Sequence, residues 1–222
     1  MTQAADAQQL LDESKAAGVP AEHVWAQRFV LDGVWYWVRG EPRLANQAVY
    51  LDGRYDGDAL NHTAPPSTYA PTMWQLYEGG VRIVAPPLWV LLAPDGGAMG
   101  PSVTARAARA AGLHPLTWTL GRSGAPPAGW SVPSVADLVR TDGDVMVALD
   151  VLARQVKVLG VFSDWPATVT YDANWVGLAS AAGGRAAARR APAARGVRST
   201  GDCFGAFFFF LGQAPLPKPS AP

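Results

Sequence analysis

The run DVMVALDVLARQVKVLGVFSDWP, residues 144–166, decides how the chain is read. It predicts a helix over about 145–155, with Asp142 or Asp144 near its positively polarised start, and then a strand over about 158–162. The strand runs into Asp164 and stops at Pro166. A helix feeding a strand that ends on a carboxylate is one beat of a βα rhythm, so the stretches before it are read for the same beat.

Four earlier segments carry it. Ala7, Leu10, Leu11 and Ala17 fall at helical spacing over 6–17, and Gly18 and Pro20 supply the stop. HVWAQRF (23–29) alternates as a strand, and Asp32 is a plausible N-cap for a helix in GVWYWVRG. NQAVYLDG (46–53) is a second strand, followed by a loop rich in Gly, Asp and Pro. A helix over about 71–79 leads to a strand at 81–85, which Pro86 and Pro87 terminate. SVTARAARAAGL (102–113) is an Ala-rich helix with Gly112 at its end, and HPLTWTL (114–120) is a β-prone run ending in GRSGAPPAGW. This is the pattern of an α/β fold with a parallel sheet, in which functional groups gather where strands end.

Bulk properties narrow the partners. The chain has 222 residues, 49% of them hydrophobic, with nine Trp, enough for one domain with a sizeable core and a tail. Eighteen basic residues balance eighteen acidic ones, so nothing draws the chain to nucleic acid or to an anionic membrane. A single cysteine, Cys203, rules out an internal disulfide and leaves the compartment unassigned. The start, MTQAADAQQLLDESKAAG, lacks the basic and apolar segments of a signal peptide, and no run is long enough for a membrane span, so the chain reads as soluble. After about residue 172 the sequence turns to Ala, Gly, Arg and Pro, which reads as a low-complexity, disordered tail over 173–222. Arg185, Arg189, Arg190, Arg195 and Arg198 in it read as solvated. FFFF at 207–210 is an aggregation hazard unless it docks on the domain.

Three segments, in order, resemble the C-terminal part of the glycerophosphodiester phosphodiesterase family, a TIM-barrel family. HVWAQRF (23–29) is similar to the family's fifth-strand Gln-Ser-Phe pattern, with Arg28 at the Ser place. AAGLHPLTWTLGRSG (110–124) resembles its seventh strand, where an aromatic-Thr pair, here Trp118 and Thr119, precedes the loop. VLGVFSDWPATV (158–169) resembles the closing strand, with Ser163 where Thr is common. With YEGGVRIVAPPLWVLL (77–92), the resemblance spans about 21–171.

The resemblance implies a glycerophosphodiester substrate, hydrolysed to an alcohol and glycerol 3-phosphate. It also implies a divalent cation, Ca or Mg, held by carboxylates, with His residues as general acid and base. The family's motifs for that chemistry are a His-Arg, a Glu-x-Asp, a further His and a mid-barrel Glu. None is matched: His23, His62 and His114 precede Val, Thr and Pro, and Glu13, Glu22, Glu41 and Glu78 start no Glu-x-Asp. A whole barrel takes eight βα units over about 250 residues. The expected architecture is therefore a partial TIM barrel of about four βα units in residues 1–172, with no catalytic or metal residues of its own and inactive alone. Gln27, Trp118 and Asp164 are its substrate-binding candidates, with Trp165 beside them. A half-barrel leaves two open sheet edges, so self-association, or association with a complementary half, is the competing expectation. A truncated gene product is a third reading.

Other candidates are weaker. Asp52, Asp56, Asp58 and His62 offer hard ligands without calcium-loop spacing, and a solvated turn is the simpler reading. Trp25, Trp35 and Trp37 read as core or interface, and His114 as structural. Ser102, Ser123 and Ser163 lack a nucleophile elbow.

Overall fold

The computed structural model describes residues 2–57, 59–121, 132–175 and 207–210. Helix α1 (Gln3–Ala16) starts at Thr2, whose hydroxyl accepts from the Ala5 amide at 3.2 Å, and stops at Gly18 in the left-handed region (φ 67°). It buries Ala7 and Leu11 against α2 (Leu31–Gly40), where the fully buried Trp37 donates its indole N–H to the Ala7 carbonyl at 3.0 Å. Asp32 lies inside the first turn of α2 instead of capping it; Val30 is the cap residue, without a side-chain bond.

Strands β1 (Gln27–Arg28), β2 (Val49–Leu51), β3 (Ile83–Ala85) and β6 (His114–Pro115) form a parallel sheet in that order, with Gln27 opposite Val49 and Val49 opposite Ile83. One residue on, β7 (Thr117–Leu120) pairs in parallel with β8 (Gly160–Ser163). The parallel strands thus follow one another in chain order, with no reversal. Between them lie α3 (Met73–Glu78), α4 (Val103–Ala110) and α5 (Asp142–Asp150). Strand alternation divides the apolar side chains between two faces. Ala48, Tyr50 and Val84 join the helix-side core with Val34, Trp37 and Leu76. Val49, Ile83, Ala85 and Leu116 join Leu159 and Phe162 on the other face. Each fully buried Val, Leu or Ile contributes about 1.5–3 kcal/mol.

Several elements differ from the sequence expectation. The strands are shorter, because three-residue 3₁₀ turns occupy Ala21–His23 and Ala45–Gln47. A hairpin of β4 (Leu92–Asp95) and β5 (Ala98–Pro101) was not anticipated; it turns on Gly96 and Gly97, both at positive φ. α5 begins earlier than expected, in a capping box where Thr141 and Asp144 exchange side-chain-to-backbone hydrogen bonds. It then widens into a π-helical turn, Val151–Val156, which buries Val151, Leu152, Ala153 and Val156. Lys157, in the left-handed region (φ 61°), closes that turn with its amide on the Leu152 carbonyl.

After β8, α6 (Pro166–Trp175) runs three residues past the expected boundary at 172. β9 (Phe207–Phe210) pairs antiparallel with β8, Gly160 facing Phe210 and Ser163 facing Phe207. β8 thus has a neighbour on each side, while β1 and β9, at the outer ends of their sheets, each pair on one side only among the described residues. The rest of the expected tail lies outside the described residues, including its five arginines and Cys203. No described helix is long and apolar enough to cross a membrane.

Candidate functional site

The C-terminal ends of the parallel strands converge, and the first group there is an ion pair. Asp52 follows β2 and is fixed by its amide, which donates to the Ala85 carbonyl at 2.9 Å. Its buried carboxylate accepts from Arg54 twice, at 2.8 Å from Nε and 2.7 Å from Nη2, and from the Arg54 amide at 3.3 Å. Arg54 Nη1 donates to the Pro71 carbonyl. Burial pulls the guanidinium pKa down, but the hydrogen bond and charge of Asp52 outweigh it, and the group stays above its ordinary value. The Tyr50 ring lies 5.7 Å from this guanidinium. Burial first, then the Asp52 charge, pushes the Tyr50 phenol up to about 12.

Above the pair stands an aromatic wall built from four strand ends. Trp118, on β7, meets Phe29 edge-on with ring centres 5.6 Å apart and Tyr55 at 6.2 Å. Tyr55 packs edge-on against Trp89 at 5.2 Å, and His62 against the same indole at 4.9 Å. The backbone admits this packing at Gly53, where a Cβ would come within 3.2 Å of the Phe29 ring. Trp118 is oriented by its indole N–H, which donates to the Ala85 carbonyl. The Trp89 indole N–H, by contrast, is buried and has no hydrogen-bond partner among the described residues. Burial lowers the His62 pKa, which favours the neutral imidazole against Trp89.

The DW corner completes the rim. Ser163 is buried at the end of β8, its hydroxyl donating to the Leu120 carbonyl and accepting from the Trp165 amide, both at 2.9 Å. The Asp164 amide bonds the same carbonyl at 3.2 Å. These three bonds hold the corner to the end of β7 and leave Asp164 and Trp165 exposed. Gly121 carries no Cβ, which would lie 2.6 Å from the Asp164 carboxylate.

Of the expected substrate-binding residues, Trp118 stands in the wall and Asp164 on the adjoining rim. Gln27 is exposed on edge strand β1, two residues before Phe29. Among the acidic-loop candidates, Asp52 is committed to Arg54, Asp56 is exposed, His62 is an aromatic contact and Asp58 lies outside the described residues. No group of three or more His, Cys, Asp or Glu gathers among the described residues. With Asp52 already neutralised by Arg54, the acids described here do not fit a divalent cation. His114 is half-buried at the start of β6, its pKa lowered by burial and by Arg109. Ser102 caps α4, its hydroxyl donating to the Val90 carbonyl at 2.7 Å; Ser123 lies outside the described residues.

Sequence reading missed Phe29, Tyr55 and Trp89. Each stands at or just after a strand end, and that position is the available signal: Phe29 is the last residue of the β-prone run HVWAQRF.

Fold and site define an α/β protein with an aromatic site at the C-terminal ends of its parallel strands. No family model matches the chain. It is 39% identical over 178 residues to a protein of Arthroderma benhamiae (strain ATCC MYA-4681 / CBS 112371) named "Extracellular protein", covering 78% of this chain and 71% of that protein. The chain belongs to that protein's family.

Proposed function

We propose that the chain is, by descent, a glycerophosphodiester phosphodiesterase-like partial TIM barrel that binds a glycerophosphodiester at its strand ends and does not hydrolyse it alone. The observation that carries the reading is the order of the parallel strands, which advances with the chain as a barrel requires and does not reverse as in a doubly wound sheet. The same order accounts for the placement of the wall, because barrel ligands sit where strands end.

The aromatic rings offer apolar faces for a glycerol or headgroup carbon chain. The exposed Gln27 amide and the buried Trp89 indole N–H, which has no partner among the described residues, are the hydrogen-bond donors nearest that role. Hydrolysis needs an acid, a base and charge neutralisation, and the described residues at this end supply the exposed carboxylates of Asp56 and Asp164 and one imidazole packed on Trp89, with no gathered metal-ligand cluster. An extracellular setting, the word carried by the fungal relative's name, suits a substrate released from membrane phospholipid. The test is purified chain with glycerophosphocholine and Ca²⁺ or Mg²⁺. Release of glycerol 3-phosphate at an enzymatic rate overturns the inactive reading, and absence of binding overturns the whole of it.

A second reading is a non-catalytic half-barrel that works by association, and the unpaired side of β1 favours it. Size-exclusion chromatography separates the two, since a concentration-independent monomer contradicts pairing.

A further inference from the structure

On the helix layer, between α4 and the π-helical turn, a cleft of about 320 Å³ is lined by Arg106, Arg109, Gln155 and Lys157 over a floor of Pro101 and Ala105. No Asp or Glu lines it. None of the three cations has an ion-pair or hydrogen-bond partner among the described residues, whereas Arg154 of the same turn is paired with Asp150 at 2.7 Å. The site lies toward the strand starts, since Arg109 and Lys157 shortly precede β6 and β8. It is therefore separate from the aromatic wall.

Two backbone features build it. A π-helical turn inserts an extra residue into the helical ladder and is frequent at functional sites. Lys157 then adopts φ 61°, a conformation costly for a residue with a Cβ and usually given to Gly. Together they place Lys157 on the lining of the cleft, with Arg106 and Arg109 of α4. Three like charges round one concavity repel one another, and a dianion relieves that repulsion while accepting charge-assisted hydrogen bonds.

We propose that this cleft is a binding site for a tetrahedral oxyanion, a phosphate or sulfate group, held by Arg106, Arg109 and Lys157. The inference does not depend on the strand-end reading. The chemistry is shared by a free anion and by a phosphorylated lipid headgroup, and the test distinguishes them.

The full chain is titrated with inorganic phosphate, and with sodium chloride at matched ionic strength, by thermal denaturation and calorimetry. At about ten times Kd, phosphate raises Tm by roughly 3–5 °C more than chloride. Arg106→Gln with Arg109→Gln, both exposed, weakens binding about tenfold or more. Lys157→Gly keeps the left-handed corner and removes the side chain with its ammonium, so it weakens binding while the Tm of the free protein does not fall. Sedimentation with phosphatidylcholine vesicles, with and without phosphatidylinositol 4-phosphate, gives the source. Pelleting only with the phosphorylated lipid, lost in the variants, assigns a headgroup, and no pelleting assigns a free anion. Equal effects of phosphate and chloride, or phosphate binding unchanged in both variants, overturn the proposal.

Discussion

Asp52 and Arg54 are two residues apart and pair inside the protein, where neither charge is well hydrated alone. Asp52→Asn leaves the guanidinium without its counter-charge and is expected to cost about 3–5 kcal/mol in urea denaturation. A loss below about 1 kcal/mol would mean that the pair behaves as a solvated one. Tyr50, beside them, has a pKa near 12 when folded against about 10 when unfolded. The unfolded chain therefore loses the phenolic proton first, so stability is whole below pH 10 and falls as pH rises from 10 toward 12. Tyr50→Phe is expected to flatten part of that fall, read from denaturation midpoints across the range; an unchanged slope would contradict the assignment. Neither effect was legible beforehand. The loop YLDGRYDGDALNH reads as a polar turn, and only tertiary burial turns its Asp and Arg into a structural pair.

At the scale of elements, local signals carried further. Thr141 and Asp144 announce the start of α5, and Gly18 and Gly112, both at positive φ, end α1 and α4. Gly112→Ala forces a Cβ into a left-handed residue 3.0 Å from the Tyr77 ring and is expected to cost about 1–2 kcal/mol by thermal denaturation. The hairpin at Gly96 and Gly97 carries its own signal, an Asp-Gly-Gly turn between apolar residues, which the sequence reading left unused. The π-helical turn had none, since its apolar residues fit an ordinary helix equally well. β9 is the non-local case: four Phe have strand propensity, but sequence does not say which edge they find. Ending the chain at Trp175 removes β9 and exposes the far side of β8. Concentration-dependent self-association by light scattering is the expected result, and a stable monomer would show that β9 does not protect that edge.

For the molecule as a whole, the βα rhythm was readable because each unit carries its own helix stop and strand end. The site was readable only in part, at Trp118 and Asp164, because the wall is assembled from Phe29, Tyr55, His62 and Trp89, which are far apart in the chain. The proposed function requires this wall to bind a glycerophosphodiester without cleaving it. Phosphorus NMR of glycerophosphocholine with the purified chain and Ca²⁺ or Mg²⁺ reads both halves at once. The expected result is a diester resonance that broadens with the wild-type chain, returns to its free width with Trp118→Ala, and gives no glycerol 3-phosphate signal in either. A growing monoester resonance, or a diester line that the wild-type chain leaves sharp, would contradict it.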